Sequence, residues 1–182
     1  EAISVLVRIP ESSAFYGTSR GQIAWALHNS GRDQSALAVA QDALENSSDR
    51  GLKVQIADLY RTLGRQEAAD RLLTRTISDD ARQGREDWRL FFARGASRES
   101  LGKWHQAEQD LLKALALQPD DPSLLNYVGY LYVDRGENLD QAMNMIQRAA
   151  EQAPNSGHII DSLGWAHYRL GNYDLAVEHL ER

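Results

Sequence analysis

The chain has 182 residues, of which 42% are hydrophobic and 25% are charged, and its net charge is −6. This composition excludes intrinsic disorder, because the apolar surface is large enough to offset the entropy lost on folding. Neither half of the sequence is basic, which argues against a nucleic-acid-binding protein and against a polybasic membrane patch. The absence of cysteine excludes disulfides, cysteine-ligated zinc and thiol catalysis. No apolar run approaches the roughly 18 residues that a transmembrane helix needs.

Small residues recur along the chain at a period close to 34. Glycines separated by 33, 38, 34 and 35 residues stand between apolar-periodic segments, at Gly31, Gly64, Gly102, Gly136 and Gly171. A small residue precedes each glycine by seven positions, and an alanine follows it by five or six, at Ala36, Ala69, Ala107, Ala142 and Ala176. A period of this length predicts an array of short structural repeats.

Each repeat predicts two helices. The glycine can adopt positive φ and end the first helix, the alanine lets the second helix approach closely, and a proline ends the pair at Pro10, Pro119 and Pro154. We expect essentially no strand. The predicted helices cover 1–9, 14–30, 33–47, 50–63, 66–78, 86–101, 104–117, 122–135, 138–153, 157–170 and 173–182.

The residues from 159 to 180 carry the sharpest version of this pattern, with Leu163, Gly164, Gly171, Tyr173 and Ala176 in register. In this pattern the chain resembles the tetratricopeptide repeat (TPR) family, whose signature places these residue types at these spacings. The resemblance implies an all-α, right-handed superhelical solenoid of antiparallel helix pairs. It also implies a single array over 1–182, with the end of a preceding repeat at 1–10 and repeats at 17–49, 50–87, 88–121, 122–156 and 157–182.

Two irregularities stand out against this register. Neither end carries a polar capping helix, so we expect a fragment of a longer array with a truncated last repeat. The apolar residues left without partners, Val5, Leu6, Leu175 and Leu180, would then favour self-association through the ends of the array. The second irregularity is a four-residue surplus within 78–87, which predicts a longer loop or an extended helix, or alternatively a protrusion specific to a partner.

The sequence offers no set of catalytic residues. It contains neither a GxSxG nor an HExxH motif, and its paired carboxylates lie near predicted helix starts or in loops. His167 stands where this repeat usually places tyrosine, which favours a packing role. We therefore predict a protein that is not an enzyme and that holds no cofactor and no metal.

The first helices carry a second stripe opposite their packing stripe, at the second, fifth, ninth and twelfth or thirteenth positions. In a TPR superhelix this stripe is expected to line the concave surface, and here it interleaves aromatic side chains with polar groups. Aromatic and arginine side chains are enriched at binding hot spots. The residues predicted to form a groove that binds a protein or peptide are Trp25, His28, Asn29, Arg61, Phe92, Asn126, Tyr130, Asp134, Trp165, Tyr168 and Arg169.

The predicted function is that of a protein-binding scaffold or adaptor. No lysine occupies the fifth or ninth position of any first helix, which disfavours the TPR subtype that clamps a C-terminal carboxylate. The C-terminal repeats resemble bacterial TPR arrays, including exported or lipid-anchored proteins of the cell envelope. Two alternatives stay open: a self-assembling structural array, and a targeting arm of an enzyme whose catalytic part lies outside this segment.

Overall fold

A computed structural model describes residues 2–181, and within these residues the chain is all-helical, without a strand. The helices follow one another as antiparallel pairs joined by short turns. Their bounds are α1 Ala2–Leu6, α2 Tyr16–Asn29, α3 Asp33–Asn46, α4 Arg50–Thr62, α5 Gln66–Ala81, α6 Trp88–Ser100, α7 Trp104–Leu117, α8 Pro122–Arg135, α9 Leu139–Gln152, α10 Gly157–Arg169 and α11 Tyr173–Leu180.

The helix pairs predicted from the small-residue period are confirmed, and most bounds agree to within two residues. The first prediction was too long, because the helix ends at Leu6 and hydrogen-bonded turns follow from Val7 to Ile9. The predictions for Glu1 and Arg182 lie outside the described residues.

The helix ends have identifiable causes. All five turn glycines have φ between 70° and 80°, and Gly136 at φ 70° donates its N–H to the carbonyl of Val133 at the end of α8. At the other end of the first helices, the carboxylates of Asp49, Asp87 and Asp121 accept backbone N–H groups and cap α4, α6 and α8. Asp87 and Asp121, two of the acids expected near helix starts, are therefore N-caps of α6 and α8.

The chain divides into two compact units, Glu1–Asp110 and Leu111–Arg182, with the division inside α7. In the first unit, apolar side chains of α2 to α6 form one cluster in which Ile23, Leu52, Ile56, Leu59 and Leu73 are each at most 2% exposed. Burying one such side chain stabilises a fold by about 1.5–3 kcal/mol, so this cluster holds the helix pairs of the unit together.

The second unit packs through very close helix contacts. A Cβ added to Gly129 of α8 would stand 2.7 Å from Cγ1 of Ile146 and 3.0 Å from the carbonyl oxygen of Ala142, both in α9. In the next pair, a Cβ on Gly164 would stand 2.7 Å from Cγ of Leu180. The repeating alanines Ala36, Ala69, Ala107, Ala142 and Ala176 are all at most 3% exposed. The small residues thus have the packing role that their period predicted.

The four-residue surplus is absorbed mainly by a longer helix. α5 runs to Ala81, three residues beyond its predicted end, and Gly84 with φ 65° turns the chain toward α6. Asp80 near the end of α5 is only 4% exposed and holds two arginines, Arg50 at 3.4 Å and Arg85 at 2.9 Å. The surplus therefore brings a buried carboxylate with it, which the sequence analysis did not anticipate.

The apolar residues near the two ends behave differently from one another. Val5, Leu175 and Leu180 are 63%, 43% and 51% exposed, as expected. The prediction for Leu6 is wrong, because this side chain packs against the core of the first unit. Among the described residues, no helix has both the length and the apolar character needed to cross a membrane.

Candidate partner-binding faces

In the first unit, the predicted groove residues of α2 interact with one another and with the next turn. The rings of Trp25 and His28 meet edge to face with centroids 5.8 Å apart. Nδ1 of His28 lies 2.7 Å from Oδ1 of Asp33. Trp25 is half-buried and packs against the core of the unit, whereas Asn29 is exposed. Much of the α2 surface is therefore already engaged within the chain.

The predicted groove residues of α4 and α6, the next first helices of this unit, are also engaged or partly buried. Nη1 of Arg61 donates to Oδ1 of Asp58, three residues earlier in α4, at 2.8 Å. Burial raises the pKa of the Asp58 carboxyl above its usual 3.8, although the Arg61 guanidinium opposes this shift. Phe92 of α6 is half-buried. The polar groups of this face thus meet each other.

The stripe pattern failed at two further positions of the first unit. Gly21 and Ala96, at the fifth and ninth places of the repeats that start at 17 and 88, are buried. A Cβ on Gly21 would meet the side chain of Gln55 and stand 3.4 Å from Cδ1 of Leu52, so α2 and α4 approach each other closely there. A uniform stripe ignores this local closeness of adjacent first helices.

In the second unit, the groove residues of α10 form an aromatic cluster. The rings of Trp165 and Tyr168 stack with centroids 5.4 Å apart and planes 18° apart. The Arg169 guanidinium carbon lies 5.8 Å from the centroid of the Trp165 ring. Tyr168 is 49% exposed and touches the exposed Tyr173 ring at 5.6 Å. Large aromatic surface therefore faces solvent here.

The equivalent positions of α8 lie 35 residues earlier, because Tyr130 and Asp134 precede Trp165 and Arg169 by that interval. Tyr130 is 41% exposed. Nη1 of Arg169 donates to the carbonyl oxygen of Asp134 at 2.9 Å, which joins the two helices on this side. We call Tyr130 and Asp134 of α8 with Trp165, Tyr168 and Arg169 of α10 the aromatic face.

Four buried side-chain atoms of the second unit lack hydrogen-bond partners within the described chain, and two of them belong to predicted groove residues. Oδ1 of Asn126, whose residue is 9% exposed, accepts no hydrogen bond, and Nε1 of Trp165 donates none. An unpaired buried polar atom costs about 1–3 kcal/mol. The Asn126 oxygen can accept a hydrogen bond and the Trp165 N–H can donate one. A peptide unit carries one N–H donor and one C=O acceptor, so it offers a partner of the right kind to each atom.

The first unit contains a cluster of buried charges that was not predicted from the sequence. Arg94 of α6 donates through Nε and Nη2 to the carboxylate of Asp110 in α7, at 2.8 and 2.6 Å. Arg98 donates to the same carboxylate at 2.8 Å and to Asp70 of α5 at 3.0 Å. Burial raises the pKa of Asp70, but the Lys103 and Arg98 cations together hold it below 3.8.

A signal for this cluster was present in the sequence. Asp110 follows the packing residue Ala107 by three positions and precedes Leu111 and Ala114, so it falls on the apolar side of α7. Its side chain is 6% exposed. The cluster links three helices of one unit and its carboxylates are fully engaged, which gives it a packing role.

Within residues 2–181, no group of three or more histidine, aspartate or glutamate side chains has an arrangement that could hold a metal ion. His167 is 8% exposed and its ring stacks on that of His179, with centroids 5.5 Å apart. Its predicted packing role is confirmed.

The sequence matches a family model described as tetratricopeptide repeat over residues 12–182. It is 32% identical over 106 residues to the TPR repeat-containing protein PA4667 of Pseudomonas aeruginosa. The matched segment is 58% of this chain but only 18% of that protein.

Solved structures of low sequence identity share the fold. BtubC (BKLC) from P. vanneervenii superposes with a TM-score of 0.80 at 18% identity, over 100% of this chain and 85% of that one. MamA from Desulfovibrio magneticus RS-1 superposes with a TM-score of 0.70 at 18% identity, over 91% of each chain.

Proposed function

Because the chain belongs to the tetratricopeptide repeat family, whose usual role is protein interaction, we propose that it is a non-catalytic scaffold or adaptor that binds a peptide segment of a partner protein on the aromatic face. The observation that carries this proposal is the run of Tyr130, Trp165 and Tyr168 on two adjacent first helices, with two of the three rings 41% and 49% exposed. Aromatic rings supply large contact area at a small loss of conformational entropy.

The polar groups beside these rings support an extended peptide as the ligand. Arg169 already bridges α8 and α10, so it offers a fixed cation next to the Trp165 ring. Asn126 Oδ1 and Trp165 Nε1 lack hydrogen-bond partners within the described chain, and a peptide backbone supplies one donor and one acceptor. Both atoms are covered in the free chain, so binding requires a side-chain rotation that exposes them.

The remaining predicted groove residues have a weaker claim. In the first unit, His28 is paired with Asp33 and Arg61 with Asp58, and Trp25 packs on the core. A ligand there would have to replace contacts that the chain already makes. We therefore place the main contact on the aromatic face, with Asn29 and Phe92 outside it.

Alanine substitutions on the aromatic face test this function. A partner isolated from the native host with the full-length protein would be titrated by calorimetry against Tyr130→Ala and Trp165→Ala. Removing a central aromatic hot spot costs about 2 kcal/mol or more, so we expect roughly a thirtyfold loss of affinity for each variant. Phe15→Ala, which removes an aromatic ring that is 70% exposed in the other unit, should leave affinity unchanged.

A stability measurement separates binding from packing in these variants. Circular dichroism should show a smaller fall in melting temperature for Tyr130→Ala than for Ala142→Leu, because Tyr130 is 41% exposed whereas Ala142 is fully buried. If Trp165→Ala lowers the melting temperature as much as the overpacked Ala142→Leu does, and the folded fraction keeps its affinity, then Trp165 is a core residue and the proposed site is wrong.

A second candidate function, self-association, has an observation of its own. Leu175, Val177 and Leu180 of α11 are 43%, 52% and 51% exposed, and exposed apolar surface of this kind promotes contact between protein chains. Sedimentation of the full-length protein tests it: a monomer at high concentration would reject self-association and leave the adaptor role standing.

A further inference from the structure

The first unit contains two adjoining concavities that the aromatic face does not include. The larger, of about 510 Å³, lies between α3, α4 and α5, and the smaller, of about 270 Å³, lies at the extended end of α5. They share Lys53, Thr76 and Asp79 among their lining residues, so they form one depression. We call this depression the α3–α5 trough.

The larger part of the trough has an apolar floor. Leu44 of α3 and Leu72 of α5 line it, and both are partly buried side chains that pack against the core of the unit. The walls carry Glu45, Lys53 and Arg75. Such a surface accepts apolar side chains at its centre and charged groups at its edges.

The smaller part of the trough is built by the four-residue surplus. Arg82 and Arg85 come from the surplus segment, and Arg50 at the start of α4 faces them. The buried Asp80 carboxylate holds Arg50 and Arg85 in place, and Asp79 pairs with Arg82 at 3.2 Å. The arginines are therefore positioned before any ligand arrives.

The charge of the trough is opposite to that of the whole chain. Its lining carries five cations and three carboxylates, a local net charge of +2, on a protein whose net charge is −6. Lys53 and Arg75 form no ion pair in the part of the chain that the structure describes. The five cations are Arg50, Lys53, Arg75, Arg82 and Arg85, and the three carboxylates are Glu45, Asp79 and Asp80.

We propose that the α3–α5 trough is a second docking surface, which binds an acidic amphipathic segment of a partner protein. The apolar side chains of that segment pack on Leu44 and Leu72, and its carboxylates pair with Lys53 and Arg75. Further carboxylates meet Arg50 and Arg85, whose side chains are 38% and 46% exposed and keep N–H donors that Asp80 does not use.

The four-residue surplus thereby acquires a function. In a repeat of ordinary length the wall formed by Arg82 and Arg85 would be missing, and only the larger concavity would remain. The trough and the aromatic face lie in different units and share no residue, so they are separate surfaces.

A synthetic peptide tests the proposal without knowledge of the native partner. The probe is a fluorescein-labelled peptide of repeated Glu-Glu-Leu-Leu units, and its anisotropy is followed as the full chain is added. We expect saturable binding that weakens with salt. Lys53→Glu and Arg75→Glu should each weaken it about tenfold or more, because like charges then face each other.

The matched control is Arg71→Glu, an exposed arginine of the same helix α5 that does not line the trough. It should leave the affinity within about twofold, since it changes net charge equally but at another place. Circular dichroism confirms that each variant remains folded. Equal weakening by Arg71→Glu and Arg75→Glu would overturn the proposal, because binding would then follow net charge alone.

Peptide composition and the second unit supply the remaining controls. A peptide of repeated Glu-Glu-Ser-Ser units should bind at least tenfold more weakly, and one of Lys-Lys-Leu-Leu units should not bind. Failure of the Glu-Glu-Leu-Leu peptide to bind, or equal binding of all three peptides, would reject the trough. Trp165→Ala should leave the affinity unchanged, and a loss there would place the peptide on the aromatic face instead.

Discussion

The contacts among α5, α6 and α7 differ in chemistry from those that close the helix pairs of the second unit. In the first unit the carboxylates of Asp70 and Asp110 tie α5, α6 and α7 together through two arginines. In the second unit, glycines let α8 and α10 contact the aliphatic side chains of the helices that follow them. The same repeat pattern is thus compatible with an ionic or an apolar contact between helices, provided that the turn glycine and the packing alanine remain.

The exposed faces of the two units differ in a parallel way. Two polar groups on the α2 and α4 face are paired with neighbours, His28 with Asp33 and Arg61 with Asp58. The second unit instead leaves the rings of Tyr130 and Tyr168 exposed on its first helices. Exposed aromatic rings offer contact area without the loss of an existing ion pair, so among the first helices those of the second unit are the better site for a partner.

The largest effect that would distinguish the two units is expected at Asp110. Asp110→Ala leaves Arg94 and Arg98 partly buried without their shared carboxylate, and breaking such a pair costs about 3–5 kcal/mol. Hydrogen exchange should show faster exchange of amides in α5 to α7 than in α8 to α10. The control Asp134→Ala removes an exposed carboxylate and should change neither unit. Equal loss of protection in both units would show that they unfold together.

A smaller effect is expected from overpacking the second unit. Ala142 is fully buried and its carbonyl lies beneath Gly129, so Ala142→Leu should destabilise the unit by about 1–3 kcal/mol. Urea unfolding measures the change. Gly157→Ala is the control, because no atom of another part of the chain lies within 4 Å of the Cβ that it would add. A wild-type midpoint for Ala142→Leu would contradict the close contact between α8 and α9.

The smallest expected effect is the pH dependence of stability that His167 gives to the second unit. Burial, and next the neighbouring His179 charge, hold the pKa of His167 below its usual 6.5. The unfolded chain therefore binds the proton first, so the contribution of His167 is constant above about pH 6.5 and stability falls as the pH decreases toward the folded pKa.

Urea midpoints measured between about pH 7.5 and pH 5.5 would follow this loss. His167→Tyr, which puts the residue usual for this repeat at that position, should remove the part of the slope that His167 contributes. His105→Gln changes an exposed histidine of the first unit and should leave the slope intact. A slope that is unchanged in His167→Tyr would assign the pH dependence to other groups.

Sequence alone predicted the helix pairs because their determinants are local and repeat. A turn glycine such as Gly136 and a buried alanine such as Ala142 mark each pair at fixed spacing, and the observed bounds follow them. The extension of α5 to Ala81 was open, since four surplus residues can form either loop or helix.

The charged cluster and the exact exposure of the stripe could not be predicted in the same way. Asp70 meets Lys103 across 33 residues, and no local pattern specifies which distant cation a buried carboxylate takes. Asn126 and Ala96 occupy stripe positions yet are buried, because exposure depends on how closely neighbouring first helices approach. The groove as a whole, including the residues of the first unit, stays a prediction.

The positive φ of the turn glycines bears on which chirality of amino acid each turn can accept. Around Gly31, Gly64, Gly102 and Gly171, no atom beyond the adjoining residues lies within 4 Å of the position that an L-side chain would occupy, so space is not what selects glycine there. The constraint is the positive φ, which a D-amino acid prefers for the mirror-image reason that an L-residue avoids it. These four turns are therefore places where the protein requires a conformation opposite to its own chirality, and where achiral glycine is the one genetically encoded residue that meets that requirement without strain.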